Sequence, residues 1–346
     1  MKVRLAALAG LVTMAVAAAV ATSATARPTK QAADTLVGAG SSLVAPLVTA
    51  WIPDYDSKTG VKVTYSAVGS GAGIAAITGR TVDFGASDAP LTPDQAVACK
   101  FCVQVPWALS ATTLSYNVKG VPTHLRLSGP VIAGIFLGTI TQWDAPAIKA
   151  LNPGLTLPSE KIVPVFRSDG SGDTYAFTDY LSHVSSTWKF KIGNATTVSF
   201  PVGVGGKGNS GVAGVIANNE GTIGYISAAY LLPNHLKVAE IKNAAGKFTL
   251  PGLRGISAAA AAFPKVPANN EMHIVNPPKK ASNAYPMSTY TYIIMPQVTP
   301  KATQLVRFVK YALTLGTKFE ARLIFAPLPH QIVVADVKTL YKVKSS

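Results

Sequence analysis

The sequence predicts two α/β lobes, on three observations. Short apolar runs alternate with helix-patterned segments along most of the chain. The 346 residues are 48% hydrophobic, enough for two cores of ordinary size. Its 29 glycines and 24 prolines supply many turns, and the composition excludes a disordered chain or a coiled coil.

In chain order, Lys2 and Arg4 precede a stretch without charge that ends at Arg27, and Ala24-Thr25-Ala26 offers a small-residue cleavage pattern. Residues 1–26 therefore read as a secretory signal peptide. A membrane anchor is the rival reading, but the Ala, Thr and Ser that fill this stretch contribute little to insertion. No cysteine precedes Cys99, which excludes a lipid-modified amino terminus. The mature protein is expected to be exported, whether periplasmic, cell-wall associated or secreted, and not lipid-anchored. Residues 27–34 are polar, contain Pro28 and read as a disordered lead-in.

From Thr35 the pattern predicts strand at 35–38, helix at 43–58, strand at 61–67, helix at 73–78 and strand at 83–86, a βαβ rhythm. It resumes with helices at 131–137, 145–151, 174–181 and 211–218 and strands at 162–166 and 223–226, which implies a second lobe. The Ala258 to Ala262 run most simply continues a helix. Two extended apolar stretches, Thr112 to Val118 and Thr289 to Met295, sit where the chain would pass between lobes. If both cross, residues 35–110 plus 286–346 build lobe 1 and residues 111–285 build lobe 2.

Three places share one design, a strand followed by a Gly/Ser-rich turn that opens a helix: Gly38-Ala39-Gly40-Ser41-Ser42, Gly69-Ser70-Gly71-Ala72-Gly73 and Arg167-Ser168-Asp169-Gly170-Ser171-Gly172-Asp173. Such turns present backbone N–H groups and hydroxyls at helix amino termini, where an oxyanion is readily held. Gly/Ser turns are usually structural, so it is the repetition, with Arg167 in one loop, that points to an anion site. Gly206-Lys207-Gly208 lacks the Ser/Thr that would complete a nucleotide P-loop.

Other chemistries find less support. The two cysteines cannot form a four-Cys zinc site, and His124, His183, His235, His273 and His330 never fall at metal-ligand spacing, so neither metal nor cofactor is expected. Cys99-Lys100-Phe101-Cys102 has no thioredoxin-like context, and export favours a local disulfide. The formal charge of +15 would fall to +13 without Lys2 and Arg4, but the lysines are scattered without interleaved aromatics, so nucleic acid is not expected as a partner.

Five motifs together carry a resemblance: Gly38-Ala39-Gly40-Ser41-Ser42, Val82-Asp83-Phe84-Gly85-Ala86-Ser87-Asp88-Ala89-Pro90, Arg167-Ser168-Asp169-Gly170-Ser171-Gly172, Gly203-Val204-Gly205-Gly206-Lys207-Gly208-Asn209 and Gly221-Thr222-Ile223-Gly224-Tyr225. In that order they resemble the phosphate-binding proteins of phosphate ABC transporters, from about Thr35 to the carboxyl terminus. The resemblance implies a class II periplasmic-binding-protein fold, with two lobes joined by two crossing strands and a ligand cleft between them. It also implies inorganic phosphate as ligand, a membrane permease as partner, and a monomer without catalytic residues.

Matched residue by residue, Ser42 and the Leu43 N–H resemble first-loop donors and Ser70 a second-loop donor. Asp88 matches the carboxylate that accepts a proton from phosphate. Arg167 is similar to the guanidinium donor, Asp169 to its orienting partner, and Ser171 with the Gly172 N–H to second-lobe donors. Leu43 replaces an aromatic residue of some members, which matters little if its backbone makes the bond. Phosphate retains a proton near neutral pH and sulfate has none, so an ionised Asp88 accepts from one and repels the other; the mismatch costs roughly 1 to 3 kcal/mol in a dry cleft.

Asp173 departs from the family's Thr or Ser. At about 4 Å from the anion its repulsion would be roughly 4 kcal/mol at an effective dielectric of about 20. The expectation is that Asp173 turns aside to cap the following helix and leaves its N–H for the phosphate, in preference to taking up a second proton. Two alternatives are an exported hydrolase or phosphatase using Ser171 or Ser70, which lacks a companion His motif, and a phosphate scavenger without a permease.

Overall fold

The computed structural model describes residues 35–346, so the expected signal peptide at 1–26 and lead-in at 27–34 lie outside the described residues. β1 (Thr35–Gly40), α1 (Ala45–Thr59), β2 (Lys62–Ser66), α2 (Ser70–Thr78) and β3 (Phe84–Ser87) follow in the expected order. α1 ends at Gly60, whose φ of 71° is the left-handed conformation that lets its N–H reach the Asp56 carbonyl. Its buried face carries Leu47, Val48, Trp51 and Tyr55, and Trp51 meets Trp107 edge-on at 5.2 Å between ring centres.

α3 (Pro93–Ala98) begins at a capping box between Thr92 and Gln95 and leads through the Cys99–Cys102 disulfide, the pairing expected, into β4 (Cys102–Asn117). Next come β5 (Arg126–Leu127), α4 (Gly129–Phe136), α5 (Pro146–Lys149), β6 (Val163–Arg167), α6 (Gly172–Val184) and α7 (Ser186–Lys191). β7 (Val204–Gly206), α8 (Gly208–Asn218) and β8 (Thr222–Ser227) complete the central motifs, and α8 starts three residues before its apolar pattern does. The short strands β9 (Lys237–Val238), β10 (Glu240–Lys242) and β11 (Phe248–Thr249) precede α9 (Leu253–Ala261), which takes in most of the alanine run, and β12 (Ser288–Pro296).

Beyond Met295 the pattern reading supplies no element, yet two α-helices form there, with two short 3-10 helices between them. α10 (Ala302–Ala312) buries Leu305, Phe308, Val309 and Ala312, a regular helical stripe. α11 (His330–Leu340) is harder to read, because Ile332, Val333, Val334 and Val337 have strand propensity and only packing makes them helical.

One continuous sheet runs β2-β1-β3-β12-β4-β8-β6-β7, with β9 on the side of β4. β1 is parallel to β2 and β3, and β6 to β7 and β8, whereas β12 and β4 run antiparallel to their neighbours. β4 is the pivot. Cys102 to Ala111 pair with β12, and Thr112 to Asn117 pair with β8, so the strand changes partners between Ala111 and Thr112. Alongside, the Thr112 N–H donates to the Met287 carbonyl immediately before β12. Two large cores flank this passage, one around Trp51, Trp107 and Phe308, the other around Trp143, Phe177 and Tyr225. This is the two-lobed α/β arrangement with crossing strands that the resemblance implies. Among the described residues, no helix is long and apolar enough to cross a membrane.

Candidate functional site

The Gly/Ser loops meet where α1, α2, α6 and α8 begin, so four helix amino termini converge on one place. Glycines permit the approach. Gly40 has a φ of 145° and lies so close to β3 that a Cβ there would stand 2.0 Å from the Ala86 carbonyl oxygen. A Cβ on Gly172 would stand 2.4 Å from the Cβ of Asp88.

Asp88, 2% exposed just after β3, is the hub on that side. The Ser41 hydroxyl lies 2.6 and 2.7 Å from its two oxygens, Thr291 Oγ1 donates at 2.9 Å, and Ser70 Oγ lies at 3.3 Å. Ser70 Oγ also accepts from the N–H groups of Asp88, at 3.2 Å, and Gly172, at 3.0 Å, so it bridges the second and third loops. The Leu43 N–H donates to Ser41 Oγ at 3.0 Å. Ser42 joins the network at Asn209 and not at Asp88: its Oγ accepts from the backbone and side-chain nitrogens of Asn209 at 3.1 and 3.0 Å.

Arg167, 5% exposed at the end of β6, is the one buried cation among the described residues. Its Nε donates to Asp169 Oδ1 at 2.8 Å, Nη2 donates to Asp169 Oδ2, and Nη1 donates to Asp173 Oδ2 at 3.1 Å. The Gly208 N–H adds a fourth bond, to Asp169 at 2.9 Å. Asp169 thus orients the guanidinium as a planar fork.

The expectation for Asp173 requires correction. α6 is capped by Ser171, whose extended backbone lets its Oγ accept the Thr174 N–H at 3.3 Å. Asp173 is fully buried and points inward, accepting from Thr112 Oγ1 and Asn209 Nδ2, each at 2.7 Å, besides Arg167. A capping residue must sit just outside the helix with extended backbone, and Asp173 is already inside the first turn.

The electrostatics follow from this crowding. Burial, then the nearby charge of Asp173, push the Asp88 carboxyl up to about 7 against the counter-pull of Ser41, Thr291 and Arg167. Burial likewise raises Asp173, opposed by Arg167, Thr112 and Asn209. Burial works against ionised Asp169 too, but the bonds and charge of Arg167 outweigh it and hold that carboxyl below its ordinary value. If ionised, Asp88, Asp169 and Asp173 would set three negative charges against the one of Arg167, so the cluster favours retention of a proton.

The structure therefore brings Ser42, Leu43, Ser70, Asp88, Arg167, Asp169, Ser171, Gly172 and Asp173 into one neighbourhood. Motif reasoning missed Ser41, Thr112, Thr291 and Asn209. Thr112 and Thr291 stand in the two extended stretches, where a hydroxyl within an apolar run was the available signal. Among the described residues no group of His, Cys, Asp and Glu could hold a metal ion.

Comparison with known proteins covers nearly the whole fold. Residues 22–314 match the family model of the PBP superfamily domain. The phosphate-binding protein PstS of Xylella fastidiosa is 40% identical over 300 residues, covering 86% of this chain and 82% of that protein. PstS of Haemophilus influenzae is 35% identical over 314 residues, covering 90% and 93%. Among solved structures, the phosphate-binding protein of Stenotrophomonas maltophilia superposes with a TM-score of 0.67 at 20% identity, covering 88% of this chain and 94% of that one. A phosphate-bound putative phosphate ABC transporter substrate-binding protein of Clostridium perfringens gives 0.63 at 18%, covering 86% and 100%. At these identities the structural matches speak for the fold.

Proposed function

We propose, because the chain belongs to the PstS family of phosphate-binding proteins within the PBP superfamily, that it binds inorganic phosphate outside the cytoplasm and delivers it to the membrane permease of a phosphate ABC transporter. The observation that carries this reading is Asp88, a buried acceptor bonded by the hydroxyls of Ser41, Ser70 and Thr291 and lying within the field of the buried Arg167 guanidinium. An anion entering between the loops exchanges their mutual bonds for bonds to itself. The hydroxyls of Ser41, Ser42, Ser70 and Ser171, the N–H groups of Leu43 and Gly172 and the fork of Arg167 supply the donors. Asp88 accepts the proton that phosphate carries and sulfate lacks.

Asp173 belongs to the binding site as a positioning and charge-setting residue. Its carboxylate fixes Arg167, Thr112 and Asn209, and its charge raises Asp88. A dianion adds to an already acidic cluster, so binding is favoured with one proton held between Asp88 and the ligand.

Lobe 1, residues 35–110 plus 286–346, and lobe 2, residues 111–285, move about the crossing of β4 and β12, and the bond from Gly71 N–H to the Gly170 carbonyl at 3.0 Å belongs to the closed form. The protein acts as a monomeric receptor, not a catalyst. Ser70 is engaged with Asp88 and Gly172, Ser171 with Thr174, and neither has a histidine partner among the described residues.

Calorimetry with phosphate, arsenate and sulfate tests the reading. One phosphate per chain with sulfate bound at least about tenfold more weakly is expected, from the cost of opposing two acceptors. Comparable sulfate binding would sink the role given to Asp88, and release of product from a phosphate ester would favour the hydrolase.

A further inference from the structure

Away from the cleft, the surface where the disulfide turn meets the carboxyl-terminal helix combines two unusual features. Its apolar side chains project singly into solvent: Val97 is 78% exposed, Phe101 79%, Val298 61% and Tyr341 74%. Around them stand the exposed cations Lys100, Arg307, Lys310, Lys338, Lys342 and Lys344, none of which forms an ion pair with a described carboxylate. The only acids of the segment from Lys301 onward, Glu320 and Asp336, are buried at 5% and 0% exposure, so that segment shows solvent no carboxylate side chain. Asp94 and Glu271 border the area, and Glu271 is paired with His273 at 3.0 Å.

The surface is continuous and stiff. The Gln297 N–H donates to the Phe101 carbonyl at 2.9 Å, and the Lys344 N–H donates to the Gln297 carbonyl at 2.7 Å. Val298 bridges to Lys344, and Tyr341 shares a groove of about 470 Å³ with Arg307 and Lys310. Phe101 sits on a four-residue turn closed by the Cys99–Cys102 bond and braced by Arg80, whose Nη2 donates to the carbonyls of Cys99 at 2.8 Å and Lys100 at 3.1 Å. An aromatic ring held out on so rigid a support loses little entropy when it is covered.

We propose that this face docks on a bilayer surface rich in anionic phospholipid, with Phe101, Val97 and Tyr341 in the headgroup layer and the six cations on the phosphates. Cations interleaved with aromatic and aliphatic tips suit the interfacial zone of a membrane. A soluble polyanion would use the charges and leave the apolar tips in water. A protein partner would call for a contiguous apolar patch, whereas here charges separate the tips.

The four native tryptophans, Trp51, Trp107, Trp143 and Trp188, are all fully buried, so Phe101→Trp places a local reporter on the face. The experiment mixes the full-length variant with vesicles of brominated phosphatidylglycerol in phosphatidylcholine and follows quenching of tryptophan emission. Quenching is expected with these vesicles and not with brominated phosphatidylcholine alone, and it should weaken as salt rises by about tenfold. Adding Lys338→Glu and Lys342→Glu should lower vesicle affinity by more than about tenfold. Absence of quenching, or quenching indifferent to the charge reversal, overturns the proposal. So does a soluble phosphodiester polymer that binds without vesicles and abolishes the quenching. Phosphate titration of the same variants, expected unchanged, separates a failure of docking from loss of the fold or of phosphate binding.

Discussion

Asp88 and Asp336 are both buried carboxylates, at 2% and 0% exposure, and burial raises both, yet their surroundings are opposite. Asp88 receives three hydroxyl groups and lies within the field of Arg167. Asp336, on α11 near Tyr290, has no hydrogen-bond partner for either oxygen among the described residues, and the Tyr290 hydroxyl has none among them either. Burial alone pushes a carboxyl well above its ordinary value, as at Asp336. Burial with donors and a cation leaves it poised near neutrality, where a proton can be exchanged with a ligand. On the proposed reading the cleft carboxylate is costly to the fold and useful to the site, whereas no donor among the described residues offsets the burial of Asp336.

The sharpest way to break the contrast is to remove the cleft cation. Arg167→Ala should abolish measurable phosphate binding in calorimetry and lower stability by about 3 to 5 kcal/mol in denaturant titration, because Asp169 and Asp173 are then buried without their partner. Retained affinity would place Arg167 outside the binding shell.

Asp336→Asn tests the other side. A folded-state value raised above the unfolded one contributes stability that is complete below the ordinary 3.8 and is lost as pH rises toward the folded value. The variant should therefore lose that decline and gain more than about 1 kcal/mol at pH 8. Equal pH–stability curves for the two proteins would show that Asp336 does not titrate in that range.

Next in size is Asp88→Asn, which keeps an amide oxygen but no charge. Phosphate binding should survive while sulfate rejection weakens by about tenfold to a hundredfold, read from the ratio of the two affinities. For the phosphate-free natural protein, the Asp88 contribution to stability should fall as pH rises from 3.8 to about 7, in thermal unfolding followed across that range.

The smallest effect sits at Asp173. Phosphate affinity should strengthen a few-fold as pH falls from about 8.5 to 6, and Asp173→Thr should flatten that profile, since Asp173 is the charge that helps to raise Asp88. A profile as steep in the variant would leave burial alone responsible.

What could be read from the chain divides along the range of the interactions. The β1 to β3 order and the loops at Ser70 and Arg167 were legible because apolar runs, turns and helix starts are local. Adjacent identical residues were not: Ser41, not Ser42, reaches Asp88, a choice made by the turn after Gly40 that no residue type signals. The cap at α6 failed for a related reason, since Ser171 and Asp173 both stand within capping range and backbone conformation decides between them. Thr291 and Thr112 lie 203 and 61 residues from the carboxylates they bond, a distance that only the crossing strands close. α11 was obscured by its β-branched residues, which packing overrides.

The sheet order has a consequence for biosynthesis. β3 and β4 flank β12, so during synthesis the edges they present to it wait for a strand that begins only at Ser288, long after β3 ends at Ser87. By then β4, β8, β6 and β7 are all present and can pair, so the middle of the chain can be folded while the beginning still shows open strand edges. The oldest part of the nascent chain, β1 to β3, then keeps an open edge on β3 until the last strand of the sheet has been made.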